Sequence, residues 1–101
     1  MFDKAKEMYQ LQKKAKEIQK QLKNTEVEAQ SSNGQVIVVF TADQKMKSIS
    51  INEEMLKSEK KRDLEEIIMK VISEALSRSQ AVAAEKTKGL MGEMGLNIPG
   101  M

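Results

Sequence analysis

Thr25-Glu26-Val27-Glu28-Ala29-Gln30-Ser31, then Ser32-Asn33-Gly34, then Gln35-Val36-Ile37-Val38-Val39-Phe40-Thr41 follow one another without a break, and their reading decides the fold. In the first run small or apolar residues alternate with polar ones, the period of a half-buried strand. Asn33-Gly34 between two such runs signals a hairpin turn. The third run is the most β-branched in the chain and reads as a central, largely buried strand. Beyond it, Ala42-Asp43-Gln44-Lys45 is a polar turn, and Lys47-Ser48-Ile49-Ser50-Ile51 alternates again with Ile49 and Ile51 inward. The result is an antiparallel three-stranded meander.

On both sides of this meander the period lengthens from two to 3.6 residues. Residues 3–23 contain good helix formers and neither Gly nor Pro, and Met8, Leu11, Ala15, Ile18 and Leu22 make a narrow apolar stripe. After the third strand, Asn52 is placed to cap a short turn holding Glu53, Glu54, Met55 and Leu56. A second helix is predicted over 59–88, with Asp63 and Glu66 at capping-box spacing. Its apolar set is Leu64, Ile67, Ile68, Val71, Ile72, Ala75 and Leu76, thinning to Val82 and Ala83. Residues 89–101 hold four of the five glycines and the single proline, the composition of a flexible tail.

The fold class is therefore α+β: a long N-terminal helix, the meander and a long C-terminal helix, in one domain spanning 1–88. Strands of six or seven residues cover roughly 20–23 Å. Helices of about 20 and 28 residues would span roughly 30 and 42 Å. Both overhang the sheet, and an overhanging apolar stripe is most simply covered by a second copy of the chain. Met8, Leu11, Ile18, Leu22, Ile68 and Ile72 are the residues expected to serve this core and dimer contact.

Composition removes most chemistry. The 101 residues include no cysteine and no histidine, which excludes disulfides, thiolate catalysis, Cys/His zinc sites and imidazole acid–base work. The adjacent pairs Glu53/Glu54 and Glu65/Glu66 diverge on a helix and read as charges favourable to a helix start. Gly89, Gly92 and Gly95 follow a helix instead of a strand, so they make no phosphate-binding loop. No enzyme, cofactor, metal site or small-molecule substrate is expected. No apolar run approaches the ~20 residues of a membrane span. The first residues are charged with no apolar signal core behind them. A cytoplasmic protein is the simplest reading.

The net charge is only +2, yet residues 1–23 hold seven lysines against Asp3, Glu7 and Glu17, a local excess of four. Lys6, Lys13, Lys16, Lys20 and Lys23 fall roughly opposite the apolar stripe. Such a stripe is either an ordinary solvated helix face or a surface for something negative. Glu17 can pair with Lys13, Lys14 or Lys20 and leaves most of the charge unpaired. By contrast, Lys57, Lys60, Lys61 and Arg62 are nearly neutralised by Glu54, Glu59 and Asp63 and read as a solvated linker. Phe2, Tyr9 and Phe40 are the only aromatics, too few for a base-stacking platform. Any nucleic-acid binding must work mainly through charge and shape. Of the eight methionines, Met8, Met55 and Met69 read as core or dimer filler, and Met91, Met94 and Met101 as an adaptable contact surface.

The order of elements and several local runs resemble the YbaB/EbfC family of small bacterial nucleoid-associated proteins. The lysine-rich first helix is followed by Gly34-Gln35-Val36-Ile37-Val38, similar to the family's Gly-x-Val-x-Val central strand. Ile51-Asn52-Glu53-Glu54-Met55-Leu56, Leu64-Glu65-Glu66-Ile67-Ile68 with Ala75, and Leu96-Asn97-Ile98-Pro99-Gly100-Met101 also resemble family runs. Two departures stand out: the 42–45 turn lacks a glycine common there, and Ser73 stands where asparagine is usual. The resemblance implies a tweezers-like homodimer, at the nucleoid, binding double-stranded DNA with bending, compaction or regulatory consequences. Charge and helix geometry then nominate Lys6, Lys13, Lys16, Lys20 and Lys23 as the phosphate contacts. The competing expectation is a dimeric protein–protein interaction module using the Met-rich tail and the long helix.

Overall fold

The computed structural model describes the backbone of residues 2–93 and the side chains of residues 4–92. Helix α1 (Phe2–Lys23) leads into strands β1 (Glu26–Gln30), β2 (Val36–Thr41) and β3 (Met46–Ile51). Two short 3-10 turns (Glu53–Met55 and Ser58–Lys60) then carry the chain into helix α2 (Lys61–Glu93). The sheet is antiparallel in the order β1-β2-β3, the meander expected from the alternating runs. Val36, Val38 and Phe40 point to one face with Ala29 and are buried there against Val71 and Ala75 of α2. Leu64, Ile67, Ile68, Ile72 and Leu76 border this core and are partly buried.

Both turns use their residues differently from the simplest sequence reading. The β1–β2 connection is not a two-residue Asn-Gly turn. Gly34 takes the left-handed position, φ +71°, and its N–H donates to the Ser31 carbonyl at 2.9 Å. Asn33 stays out of that region and accepts from the Gln35 N–H at 3.0 Å through its side-chain oxygen. In the β2–β3 turn the left-handed residue is Gln44, φ +67°. Between Val39 and Phe40 the register shifts, with Val39 opposite Ser48 and Phe40 opposite Met46. Lys47 is therefore the extra residue of a β-bulge. Downstream, the Asn52 side chain accepts from the Glu54 N–H at 2.9 Å, the cap its position called for.

Helix α2 packs on β1 and β2. Ile49 and Ile51 share the inner face, since they pair with Val38 and Val36. They are nevertheless only partly covered: Ile49 is 43% exposed and Met46 beside it 45%. The inward strand thus lies at the open edge of the single chain's core.

Past the sheet, α2 continues. Arg78 donates to the Glu28 carbonyl at 3.0 Å and the buried Ser79 hydroxyl to the Thr41 carbonyl at 2.7 Å. These bonds fix α2 at the end of the sheet where α1 enters, because the Ala42 N–H donates to the Thr25 carbonyl at 2.8 Å. Beyond Ser79 the two helices run antiparallel and pack on each other. Ile18 and Leu90 are the buried residues of this pair. The helix predicted to stop at 88 runs five residues further, through Gly89 and Gly92, so the tail begins later than composition suggests. The remainder of that tail lies outside the described residues. The molecule measures 68 × 23 × 16 Å.

Candidate nucleic-acid interface

Helix α1 joins two faces of opposite character. Toward α2 it turns Lys14, Ile18 and Leu22, with Thr25 just past its end; Ile18 is buried and the others half-buried. The Thr25 hydroxyl closes the helix end by donating to the Gln21 carbonyl at 2.6 Å. Of the expected apolar stripe, Ile18 and Leu22 fill this seam. Met8 and Leu11 do not join the single chain's core: they are 63% and 43% exposed. Ala15 is exposed as well. The packed face is rotated toward Lys14 and away from Ala15, and residues 4–13 of α1, Met8 and Leu11 among them, are all exposed. On α2, Ile68 and Ile72 are half-buried beside the sheet core.

Away from α2, Lys6, Lys13, Lys16, Lys20 and Lys23 are all exposed. Among the described residues the ion pairs are Lys14–Glu17 at 3.5 Å, Lys47–Glu26 at 3.1 Å and Arg78–Glu74 at 2.8 Å. None involves a lysine of the stripe. Glu17 is drawn to Lys14, on the seam side, which removes the main local acid from competition for the stripe. Lys6, Lys13 and Lys20 recur at about 10.5 Å along the helix axis. A row of ammonium groups that form no ion pair among the described residues can approach a polyanion from the side of α1 away from α2. Lysine offers point charges and no planar fork, so it suits phosphates better than base edges.

Elsewhere the described residues offer little chemistry. A hollow of about 430 Å³ between the β1–β2 turn and α2 is lined by Asn33, Gln35, Met55, Lys60, Asp63, Glu66, Ile67 and Lys70, cations and anions in equal number. Among the described residues no group of carboxylates is arranged to hold a metal ion. No described helix is long and apolar enough to cross a membrane. Met55 is buried and Met69 is 71% exposed, so the methionines expected as filler divide between core and surface. Of the three methionines expected as a contact surface, Met91 is half-buried, and Met94 and Met101 lie outside the described residues. Exposed Tyr9, which sequence reading counted among scarce aromatics without placing it, lies on the lysine side; its position on the helical wheel was the available signal.

Residues 1–94 match the model of the YbaB/EbfC DNA-binding family. A nucleoid-associated protein of Afipia carboxidovorans is 35% identical over 96 residues, covering 95% of this chain and 90% of its own. Another, from Ligilactobacillus salivarius, is 33% identical over 96 residues, covering 95% and 88%. A third, from a Bradyrhizobium species, is 37% identical over 91 residues, covering 90% and 86%. In structure, an uncharacterised protein of Helicobacter pylori superposes with a TM-score of 0.62 at 20% identity, over 86% of this chain and 96% of its own. That last likeness concerns the fold alone.

Proposed function

Because the chain belongs to the YbaB/EbfC DNA-binding family, a nucleoid-associated family and not an enzyme family, we propose that it binds duplex DNA through phosphate contacts, largely without regard to sequence. The observation that carries this reading is the row of five exposed lysines, none of them in an ion pair among the described residues. The working unit is a homodimer at the bacterial nucleoid. Met46 and Ile49, exposed at the open edge of the inner sheet face, and half-buried Ile51, Ile68 and Ile72 supply an apolar surface for the second copy. Two lysine rows related by the dimer axis then grip one duplex and bend or compact it.

Three to five phosphate contacts per chain give log K a slope against log salt of roughly −3 to −4.5, and twice that for a dimer using both rows. The triple substitution K6Q/K13Q/K20Q tests the reading by fluorescence anisotropy with unrelated duplexes. Affinity is expected to fall equally for all of them, with the slope shallower by roughly 3 per chain, while sedimentation shows an intact dimer. Unchanged affinity and slope would overturn the assignment.

A further inference from the structure

At 100° per residue, Tyr9 projects inside the roughly 100° sector bounded by Lys23 and Lys6, near the centre line of the five lysines. Tyr9 is 68% exposed. With Gln12, Lys13 and Lys16 it lines a shallow hollow of about 120 Å³ on the outer side of α1. The chain has only three aromatic residues, and Phe40 is spent in the core.

We propose that Tyr9 is a DNA-contact residue: its phenolic hydroxyl donates to a backbone phosphate oxygen seated between Lys13 and Lys16, and its ring packs on the adjoining deoxyribose. This rests on the reading of the lysine row as a duplex-binding face. Three features of the geometry point the same way. Tyr9 is one turn from Lys13, and Lys16 follows one turn further on the wall of the same hollow, so a phosphate between those two charges comes within reach of the hydroxyl. The hollow beside the ring is walled by two ammonium groups and an amide and by no carboxylate, so its chemistry suits an anion. A single ring cannot build the platform that single-stranded bases need, whereas tyrosine hydroxyls are regular donors to duplex phosphates. The contact fixes the register of the helix on the backbone and carries no sequence information.

Tyr9 is the sole tyrosine and there is no tryptophan, so intrinsic fluorescence of the full-length protein reports this residue alone. Titration with an unlabelled duplex is expected to change tyrosine emission, saturating in step with the anisotropy of a labelled duplex of the same sequence. Y9F is expected to weaken binding about three-fold with the salt slope unchanged, since a neutral donor releases no counterion; K13Q lowers the slope by about one. Duplex binding with unchanged emission, or a Y9F protein with wild-type affinity, would overturn the inference and leave the function standing. Absence of duplex binding by the wild-type protein at low salt would overturn both.

Discussion

Gln44 occupies a backbone conformation that a side chain makes costly. At φ +67° its Cβ crowds the following carbonyl, at roughly 1–2 kcal/mol, and the turn persists because the Gln44 N–H donates to the Thr41 carbonyl at 2.9 Å. Glycine removes that strain while adding about 0.5–1 kcal/mol of unfolded-state entropy. Q44G is therefore expected to stabilise the protein by about 0.5–1 kcal/mol, visible as a denaturation midpoint raised by a few degrees; a lowered midpoint would show that the Gln44 side chain makes a compensating contact. The missing glycine was readable from the sequence, but the residue that takes up the strain was not. The same holds for the other turn. Asn33-Gly34 correctly marks the hairpin, yet the left-handed position falls on Gly34 alone. Ser31 and Asn33 bond to backbone N–H groups around the turn; such bonds underlie the turn preference of these residues, but a propensity does not say which N–H each side chain takes.

The strands were legible to within about a residue because period-two alternation follows directly from burying one face. The end of α2 was not. Two glycines, each costing about 1 kcal/mol in a helix, argued for a break after residue 88. What overrides them is packing between elements distant in sequence: Leu90 is buried where α1 and α2 meet. The lysine side of α1 needed only angles on a wheel and so was legible, whereas the extent of its apolar side depended on where α2 runs. Ile18 is the buried residue of α1 in that seam. I18A is expected to cost about 2–3 kcal/mol and to loosen the helix pair selectively. Amide hydrogen exchange should then speed up across α1 and the last turns of α2 while β2 stays protected. Uniform acceleration throughout the sheet would instead make α1 part of one cooperative core.

For the molecule as a whole, the decisive asymmetry is that α2 covers β1 and β2 and leaves the inner face of β3 half open. A second copy seated there is expected to be disrupted by I49D, which places a charge opposite buried Val38. Sedimentation should show a monomer with a native circular-dichroism spectrum, and duplex affinity should fall because one lysine row replaces two. A dimer unaffected by I49D would move the interface elsewhere. The helix pair beyond the sheet has a mechanical consequence as well. Arg78 and Ser79 tie α2 to the sheet's end, and from there α2 runs about 21 Å to Glu93. Pivoting about that tie by ten degrees sweeps the tip by about 4 Å, close to the 3.4 Å rise of one nucleotide along a DNA strand. The tie is thus a fulcrum: a small flexure there, shared by the packed helix pair, swings the far end of the lysine row by about a nucleotide step while Lys23, next to the sheet, hardly moves. On the proposed duplex-binding reading, such a lever follows a duplex whose pitch and curvature vary along its length, and its compliance, more than any fixed shape, sets how tightly it grips.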